Sequence, residues 1–453
     1  MAPETSRTRD RAIPKYAAIA PTIAAFALPF SGTTDTTTAY RPSPIFFTYP
    51  LFARVLAMTI IFIYFNDGDD KTDKKWYDYL IMKTERLKVF VAMSGGVDSS
   101  VAAALLKERG FDVVGVHIKM WSDPSIPCNF KEDRYDAMAA AEKIGIPFQT
   151  WDFTEEYRTA VVEYLIREYA AGRTPNPDVM CNRHVKFGAF LRRARELGAD
   201  YMATGHYTRI KNLGSRIKVL QAADRNKDQS YFLWTLTQEQ LAYCLFPIGE
   251  YTKPEVRQMA RRLALPTAEK KDSQGICFIG EIDLNAFLKK HIPVRPGRVL
   301  TSSGKEVGGH EGLAFYTMGQ REGLGIGGGR IPYYVAAKDF RTNTLVVAEG
   351  PYDEKLFSSE IAVSDVHWIS AVPLKFPLRC EIRIRYRQPL QSCKIARIDA
   401  DLNADKRRLN PRESTLQSAR IRVIFNENQR AATPGQSAVF YRGEEMLGGG
   451  IMV

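Results

Sequence analysis

Apolar and polar residues alternate with two different periods along the middle of the chain. Short apolar runs, rich in β-branched and aromatic side chains, predict buried strands. These runs are 88–93, 113–118, 148–151 and 201–204. The longer stretches between them repeat apolar residues at helical spacing and predict helices over 97–109, 137–144, 154–170 and 186–197. Alternating strands and helices predict a parallel sheet covered on both faces, so an α/β fold is expected here.

The pattern changes after about residue 283. Glycines crowd the region 297–329, which carries few helical signals and predicts a small, turn-rich second domain. From about residue 351, short alternating runs predict an all-β third domain, a barrel or sandwich. The predicted strands of that domain are 378–386, 392–398, 420–425 and 437–441. The polar stretch 400–418 is expected to be an exposed loop.

A chain of 453 residues is too long for a single hydrophobic core. The pattern changes predict an α/β domain over 82–282, a small central domain over 283–350 and a C-terminal β domain over 351–453. Residues 1–81 have a different composition and are expected to be disordered or not part of the enzyme.

Within 1–81, two stretches resemble sorting or membrane signals. Residues 17–30 are small and apolar after several basic residues, which is the outline of a secretory signal. Residues 45–65 are long enough to span a membrane, but Arg54 lies mid-stretch and costs about 2.5–3.5 kcal/mol on insertion. We favour an extension or a misread upstream start over a membrane anchor, with Met82 as the plausible start and a mitochondrial presequence as the alternative. No membrane association is expected.

The net charge is +12, which suits a polyanionic partner such as nucleic acid. Six cysteines in a chain of this length are not a disulfide framework, and their spacing gives no zinc motif. In a reducing compartment they are thiols and some of them are reactive. No metal cluster is predicted.

The stretch Lys88–Arg109, KVFVAMSGGVDSSVAAALLKER, carries the strongest chemical signal. A buried strand leads into two glycines, and the glycines lead into a helix. The free N–H groups and the dipole at such a helix start bind anions. The loop is not a Walker motif, because Val97 stands where the lysine is required. Next to phosphates Asp98 would repel them unless a magnesium ion lies between, so magnesium is expected.

Three further stretches contain chemically useful side chains. Residues 173–182, RTPNPDVMCN, read as a proline-stiffened loop leading to Cys181. Residues 226–231, NKDQSY, read as a polar loop before an apolar helix. Residues 271–278, KDSQGICF, place Cys277 next to a glycine.

The glycine loop SGGVDS resembles the pyrophosphate loop of N-type ATP pyrophosphatases. With TPNPDVMCN, ATGHY, KDQSY and KDSQGICFIG in this order, the chain resembles the tRNA-specific 2-thiouridylase family. The resemblance runs from about residue 88 to 453 and includes GQREGLGIGGG, RYRQ at 385–388 and PGQ at 434–436. Residues 1–81 and the 400–418 insert have no counterpart in it. It implies an ATP pyrophosphatase domain, similar to the adenine nucleotide alpha hydrolases, a central domain and a tRNA-binding β-barrel.

The resemblance also implies a reaction. ATP adenylates the 2-carbonyl oxygen of the wobble uridine in tRNA for Lys, Glu or Gln, and a cysteine persulfide then delivers sulfur. The products are 2-thiouridine, AMP and pyrophosphate. Cys181 matches the nucleophile and Cys277 the persulfide carrier, which forms a disulfide with Cys181 during turnover. Arg183, Lys186, Lys270 and Lys271 are candidates for the positive charge that thiolates require.

Carried over residue by residue, the resemblance implies an ATP site and a tRNA site. The implied ATP-binding residues are Ala92, Met93, Ser94, Gly95, Gly96, Val97, Asp98, Ser99, Ile118 and Gly205. Asn176, Pro177 and Asp178 match the segment that meets the target base. The other implied tRNA contacts are His206, Lys227, Asp228, Gln229, Arg385, Tyr386 and Gln436. Their types suit phosphates, base edges and base stacking.

Two other functions stay open at this point. One is an ATP pyrophosphatase that adenylates a small metabolite, for which neither cysteine is required. The other is an inactive RNA-binding protein, against which the intact SGGVDSS loop and both cysteines argue. The family implies tRNA and a cysteine desulfurase or sulfur-relay protein as partners, with a monomeric enzyme in the cytoplasm and the mitochondrial matrix as the alternative.

Overall fold

The computed structural model of the chain describes residues 86–123, 129–271, 284–326, 331–371, 374–398 and 420–453. Predictions for residues 1–81, for Cys277 and for the insert 400–418 lie outside these ranges.

A parallel sheet forms the centre of the first domain. Its strands are β1 (Lys88–Ala92), β2 (Asp112–Lys119), β3 (Phe148–Asp152), β4 (Tyr201–Thr204) and β7 (Cys244–Leu245). The strand order is β3-β2-β1-β4-β7, and each neighbouring pair is parallel. Along β1, Phe90 belongs to one hydrophobic cluster, while Val89 and Val91 belong to another. The strand is therefore buried on both faces, as its continuous apolar sequence predicts.

Helices cover both faces of this sheet. The helices of the first domain are α1 (Val97–Glu108), α2 (Phe130–Ile144), α3 (Thr154–Tyr157, Arg158–Val162 and Glu163–Ala170), α4 (Pro177–Met180, Cys181–Phe190 and Leu191–Glu196), α5 (Gln238–Leu241) and α6 (Lys253–Arg262). Parts of α3 and α4, Arg158–Val162 and Cys181–Phe190, are wound as π-helix. Apolar residues of α1 and α2 pack on the Val89 side, and those of α3 and α4 pack on the Phe90 side. The α/β prediction is confirmed.

The central domain begins with helix α7 (Leu284–His291) and continues as a small sheet. Its strands are β8 (Gly297–Thr301), β9 (Glu306–His310), β10 (Tyr333–Asp339) and β11 (Thr344–Glu349). They pair in the order β10-β11-β8-β9. A short 3₁₀ turn, Leu313–Phe315, packs its apolar side chains into the core that the sheet shares with the first domain.

The C-terminal strands close into an antiparallel barrel. They are β12 (Phe357–Trp368), β13 (Leu378–Arg383), β14 (Gln391–Arg397), β15 (Ile421–Arg430), β16 (Ser437–Arg442) and β17 (Glu445–Met452). The order β12-β15-β14-β13-β16-β17 returns to β12, because β12 also pairs with β17. A second core of alternating inward residues fills it. The predicted barrel-like domain is confirmed.

A hairpin from the first domain extends the barrel's sheet. Its strands β5 (Thr208–Asn212) and β6 (Ile217–Gln221) pair with each other, and β6 pairs with β17 through Leu220–Glu445 and Val219–Met446. The sequence analysis did not identify this hairpin. Because β6 pairs with β17, the first and third domains are joined by backbone hydrogen bonds as well as by side chains.

Two local predictions are wrong. The segment read as a loop up to Cys181 is helical from Pro177, because Asn176 caps the helix and a proline fits its first turn. The stretch after residue 230 is not an apolar helix but a single 3₁₀ turn, Ser230–Phe232. Its apolar side chains face the barrel instead of forming a helical stripe.

Within the described ranges, every helix is too short or too polar to cross a membrane.

Candidate active site

The glycine loop joins the end of β1 to the start of α1. Gly95 has a φ of +81°, and a Cβ there would lie 2.2 Å from the backbone oxygen of Asp133, so only glycine fits. Ser99 Oγ accepts a hydrogen bond from the Ser94 N–H at 3.1 Å and donates one to the Gly96 carbonyl at 3.2 Å. The loop is thereby fixed at the N-terminus of a 12-residue helix, which is a favourable place for phosphate.

Gly205 brings strand β4 against this loop. A Cβ on Gly205 would lie 2.6 Å from the backbone nitrogen of Ser99 and 2.8 Å from the carbonyl carbon of Asp98. Both strand ends therefore meet at one edge of the sheet, where ligands bind in open α/β folds. The structure brings the predicted ATP residues of β1, the loop and β4 together.

The remaining predicted ATP residues line the interior beside the loop. Met93, Val97 and Ile118 are buried, and Ala92 is half-buried. The Met93 carbonyl is 2.9 Å from Nδ1 of His117, and burial lowers the pKa of that histidine below its ordinary value. Ile118 lies opposite Trp151 on β3, at the carboxyl end of its strand.

Asp98 is paired within the protein. Lys253 Nζ donates to both carboxylate oxygens of Asp98, at 2.7 and 2.8 Å, and Tyr207 OH donates to Oδ1 at 2.8 Å. Lys253 is the first residue of helix α6 and its side chain is 10% exposed. The negative charge for which the sequence analysis invoked magnesium is thus balanced by an ammonium group.

These contacts bear on the expected magnesium ion. Both oxygens of Asp98 are already hydrogen-bonded. Among the described residues, no group of three or more His, Cys, Asp or Glu side chains is placed to hold a metal. The residues present do not fit a metal ion held by Asp98.

Cys181 lies on helix α4, one turn after its N-cap. The side chain of Asn176 accepts a hydrogen bond from the Val179 N–H at 3.3 Å, and Pro177 occupies the first helical position. Cys181 itself is 2% exposed. The amide of the next residue, Asn182, donates to the carbonyl of Phe232 at 3.2 Å. The sequence therefore places this cysteine on a capped helix whose orientation is fixed by the segment around residue 232.

The barrel holds the segment that leads to Cys181. Gln436 Nε2 donates to the carbonyls of Thr174 at 2.9 Å and Pro175 at 3.0 Å, and the Thr174 N–H donates to Pro434 at 2.9 Å. Gly435, with a φ of +93°, lies so close that a Cβ would be 2.8 Å from the Thr174 oxygen. Gln436, predicted as a tRNA contact, is engaged here with the protein backbone. Its contact with tRNA stays a prediction.

The central domain also contacts the segment that leads to Cys181. Thr317 Oγ1 is 3.2 Å from Thr174 Oγ1, and Lys338 Nζ donates to the carbonyl of Gly172 at 3.0 Å. Burial lowers the pKa of Lys338 to about 8. Both accessory domains therefore position the entry to helix α4.

Two predicted tRNA residues, one on helix α4 and one packed against it, have shifted pKa values. Burial raises the pKa of Asp178, and the nearby Lys186 opposes that shift. Burial lowers the pKa of His206 well below its ordinary value, and Lys186 adds to the effect. His206 Nδ1 lies 2.7 Å from Thr204 Oγ1, and the ring packs beside Phe187. At neutral pH His206 is an uncharged, internally bonded imidazole.

Asp228 is the centre of a buried polar cluster between the first domain and the barrel. Its carboxylate accepts hydrogen bonds from Arg383 NH1 at 2.6 Å, Gln221 Nε2 at 3.1 Å, and the N–H groups of Ala222 and Ser230 at 3.1 and 3.2 Å. The side chains of Asp228 and Arg383 are 1% and 9% exposed. In this conformation the Asp228 carboxylate is bonded within the protein and connects the first domain to the barrel. Its contact with tRNA stays a prediction.

The neighbours of Asp228 differ from it in exposure. Lys227 and Gln229 are half-buried. The side chain of Gln229 accepts from the Tyr207 N–H at 2.9 Å, which connects this segment to the tyrosine on Asp98.

Arg385 and Tyr386 lie where the barrel meets the first domain. The Tyr386 ring is 4.6 Å from the ring of Phe232, whose carbonyl holds Asn182. Arg385 NH2 donates to the Ala431 carbonyl at 2.7 Å, and burial lowers the pKa of its guanidinium. The structure thus brings the predicted barrel residues close to the Cys181 segment.

The predicted persulfide carrier Cys277 lies outside the described residues. Lys270, a candidate for its positive surroundings, is bound at 2.7 Å to Asp133 and 2.5 Å to Asp136, so two carboxylates oppose its charge. The described cysteines Cys181, Cys244, Cys380 and Cys393 form no disulfide bond with one another. Cys244 is buried and donates to the Gln240 carbonyl, and burial raises its pKa.

Sequence reasoning missed several residues of this site. Lys253 and Tyr207 reach Asp98 from 155 and 109 positions away, and Arg383 reaches Asp228 from 155 positions away. The sequence TKPE at 252–255 does predict a helix start, because threonine, proline and glutamate suit the N-cap and first turn. It gives no sign of which site that helix start faces.

Three family models match consecutive parts of the chain. Residues 87–281 match a tRNA methyl transferase HUP domain, residues 285–349 a tRNA methyl transferase PRC-barrel domain, and residues 358–452 an aminomethyltransferase beta-barrel domain. Together they cover most of the chain after residue 86.

Curated relatives align over the same region. The chain is 47% identical over 374 residues to a tRNA-specific 2-thiouridylase of Streptococcus mutans, covering 81% of this chain and 95% of the relative. It is 47% identical over 375 residues to a protein of the same name from Pseudomonas fluorescens, covering 82% and 95%. A 4-thiouridine synthetase solved with RNA and ATP is 19% identical, covers 46% of this chain and 50% of that chain, and has a TM-score of 0.29, too low to carry an argument.

Proposed function

The chain belongs to the tRNA-specific 2-thiouridylase family, and from this we propose that it uses ATP to convert a wobble uridine of tRNA to 2-thiouridine. It is a sulfurtransferase that acts on tRNA. The observation that carries the proposal is that one chain combines an anion-binding glycine loop at a helix start, Cys181 on a capped helix, and a closed barrel that holds the segment leading to that cysteine. An ATP pyrophosphatase that adenylates a small metabolite does not require a barrel that binds the carbonyls of Thr174 and Pro175.

The first chemical step activates the uridine. The 2-carbonyl oxygen attacks the α-phosphorus of ATP, and the bond between that phosphorus and pyrophosphate breaks. Residues Ser94–Ser99 and Gly205 surround the place proposed for the phosphates, and helix α1 offers its N–H groups there. The adenylated oxygen is a better leaving group than the free carbonyl oxygen. No step is routed through a metal ion.

The second step transfers sulfur. The terminal sulfur of a Cys277 persulfide attacks C2 of the uridine, and AMP leaves with the oxygen. The Cys181 thiolate then attacks the Cys277 sulfur, which releases 2-thiouridine and leaves a Cys181–Cys277 disulfide. A dithiol reductant restores both thiols. A cysteine desulfurase or a sulfur-relay protein supplies the persulfide.

We further propose the domain bounds 82–282, 283–350 and 351–453, an N-terminal segment 1–81 that the reaction does not require, and a monomeric enzyme. The proposed compartment is the cytoplasm, with the mitochondrial matrix as the alternative. N-terminal sequencing of the native protein distinguishes the two.

The function is tested by thiolation of defined tRNAs. The purified full chain, ATP, a cysteine desulfurase and cysteine are incubated with unmodified tRNA for Lys, Glu and Gln. We expect 2-thiouridine at the wobble position by nucleoside mass spectrometry, with one AMP formed per thiolated tRNA. A tRNA whose wobble base is cytidine serves as the control. Pyrophosphate release that tRNA does not stimulate would favour a small-metabolite substrate instead.

Arg385 is proposed to contact the phosphate backbone of tRNA. Arg385→Ala is expected to weaken tRNA binding and to lower the slope of log affinity against log salt by about one, since one phosphate contact is lost. ATP hydrolysis without tRNA stays nearly unchanged. Arg379→Ala is the matched control, because Arg379 is exposed near the start of β13, the strand that ends two residues before Arg385. Equal losses in both variants would show that only the barrel's total charge matters.

A further inference from the structure

Lys253 is a cation placed at the phosphate loop that the sequence analysis did not identify. Its ammonium group forms two hydrogen bonds with Asp98, at 2.7 and 2.8 Å, and Asp98 is the second residue of the helix that the loop opens. We propose that Lys253 binds the phosphates of ATP and that Asp98 is the positioning residue that holds it there. This rests on the proposed function only in taking ATP as the nucleotide.

The backbone around Lys253 is rigidly held. The Glu255 carboxylate accepts hydrogen bonds from the Thr252 N–H and hydroxyl, both at 2.7 Å, which fixes the start of helix α6. The Lys253 N–H donates to Asp224 at 2.9 Å. The backbone of Lys253 is therefore fixed by these hydrogen bonds, and its largely buried side chain places the ammonium group at Asp98.

Asp98 is itself fixed by a second contact. Tyr207 OH donates to Asp98 Oδ1 at 2.8 Å, and the ammonium of Lys253 lies 5.9 Å from the centre of the Tyr207 ring. Tyr207 is 1% exposed, so its hydroxyl cannot swing away. Asp98, Lys253 and Tyr207 come from three separate parts of the chain and converge at the first turn of α1, and Asp98 is the most accessible of the three, at 32%.

The charges favour a phosphate ligand. A carboxylate in the first turn of α1 repels a phosphate bound at that helix start, unless a cation offsets it. Lys253 supplies that cation without a metal ion on Asp98, and lysine binds phosphate as a point charge. Asp98 holds the ammonium group at the first turn of α1, the helix that the loop opens. The pair therefore differs from a surface ion pair, because its cation offsets the repulsion between Asp98 and a phosphate bound at the loop.

The test measures binding of labelled ATP to the full chain without tRNA, by equilibrium dialysis over a range of magnesium concentrations. Lys253→Met removes the charge and keeps the stem, and we expect it to weaken ATP binding by about tenfold to a hundredfold. Lys253→Arg should retain part of the affinity. Lys107→Met is the control, since Lys107 lies in the last turn of α1, at the opposite end of that helix from Asp98. Its ATP affinity is expected to equal that of the wild type.

The double variant separates this proposal from direct metal binding by Asp98. Lys253→Met leaves the Asp98 charge uncompensated, so adding Asp98→Asn should restore part of the lost affinity. The double variant also lacks a buried unpaired charge, and thermal unfolding followed by circular dichroism confirms that it folds. If Asp98 binds a metal ion, Asp98→Asn adds to the loss and moves the midpoint of the magnesium titration. That result, or unchanged ATP affinity in Lys253→Met, overturns the proposal.

Failure here differs from failure of the proposed function. A wild-type chain that binds ATP but forms no 2-thiouridine contradicts the function and leaves the Lys253 measurement valid. A wild-type chain that thiolates tRNA while Lys253→Met binds ATP normally contradicts only the role of Lys253.

Discussion

Cys277→Ser and Cys181→Ser are each expected to abolish 2-thiouridine formation, but at different steps. Cys277→Ser should take up no labelled sulfur at position 277 and should still release pyrophosphate when tRNA is added. Cys181→Ser should load sulfur on Cys277 and then stop. The measurements are peptide mass spectrometry after incubation with a desulfurase and ³⁵S-cysteine, a pyrophosphate assay, and nucleoside analysis of the tRNA.

The position of Cys181 explains why its loss should spare the earlier steps. It lies on a capped helix whose entry is held through Gln436 and Thr317, whereas the loop Ser94–Ser99 leads into a different helix, α1. Serine has nearly the same size as cysteine, so the buried packing around position 181 is kept. Cys244→Ser is the matched control, because Cys244 is also buried, lies on strand β7 and donates its hydrogen bond to the nearby Gln240 carbonyl.

A disulfide should also accumulate during turnover. After a single turnover without reductant, the wild type is expected to show a Cys181–Cys277 peptide, which requires the two Cα atoms to come within about 7 Å. Thiolation that proceeds without this peptide would indicate that free hydrosulfide attacks the uridine. Full thiolation by either serine variant would contradict the two-cysteine scheme altogether.

The order of strands and helices was predictable because each element carries its own period. β4, at Tyr201–Thr204, begins and ends as predicted, and β1, β2 and β3 differ by at most a residue at either end. The two-residue edge strand β7, Cys244–Leu245, was not predicted, because it is too short to carry a pattern. Both faces of these strands are covered, so their sequences are continuously apolar. Helix α4 was predicted to start at residue 186 because its first turns, PDVMCNRH, mix a proline and polar residues without a clear apolar stripe.

Contacts between distant segments were not predictable. The hairpin β5–β6 has the local pattern of any exposed hairpin, and its pairing with β17 depends on where the barrel sits. In the same way, the resemblance identified Asp98 but not Lys253, and Gln436 but not the carbonyls it binds. The type of a residue suggested whether it suits phosphate binding, base recognition or sulfur transfer. The residues that it contacts within the protein depend on the tertiary structure.

Asp228→Ala is expected to destabilise the whole protein. Removing this carboxylate leaves the Arg383 guanidinium buried, with its charge no longer balanced, and breaking such a pair costs about 3–5 kcal/mol. The N–H groups of Ala222 and Ser230 lose their acceptor as well. The measurement is the free energy of unfolding in urea, with tryptophan fluorescence as the signal, because Trp234 packs beside the barrel strand β16 and bonds to Ser437.

The same variant separates two roles of Asp228. If the residue only contacts tRNA, Asp228→Ala weakens tRNA binding and leaves the unfolding free energy unchanged. If it joins the domains, stability falls, and the double variant Asp228→Leu with Arg383→Met recovers much of the loss, since an apolar pair replaces a buried ion pair. Lys227→Ala is the neighbouring comparison: it is half-buried, lies outside the buried pair, and should affect tRNA binding more than stability.

Because Asp228 adjoins Gln229, which holds Tyr207 and through it Asp98, a loosened domain joint should also weaken ATP binding. Normal stability with lost tRNA affinity would show that the buried cluster opens when tRNA binds.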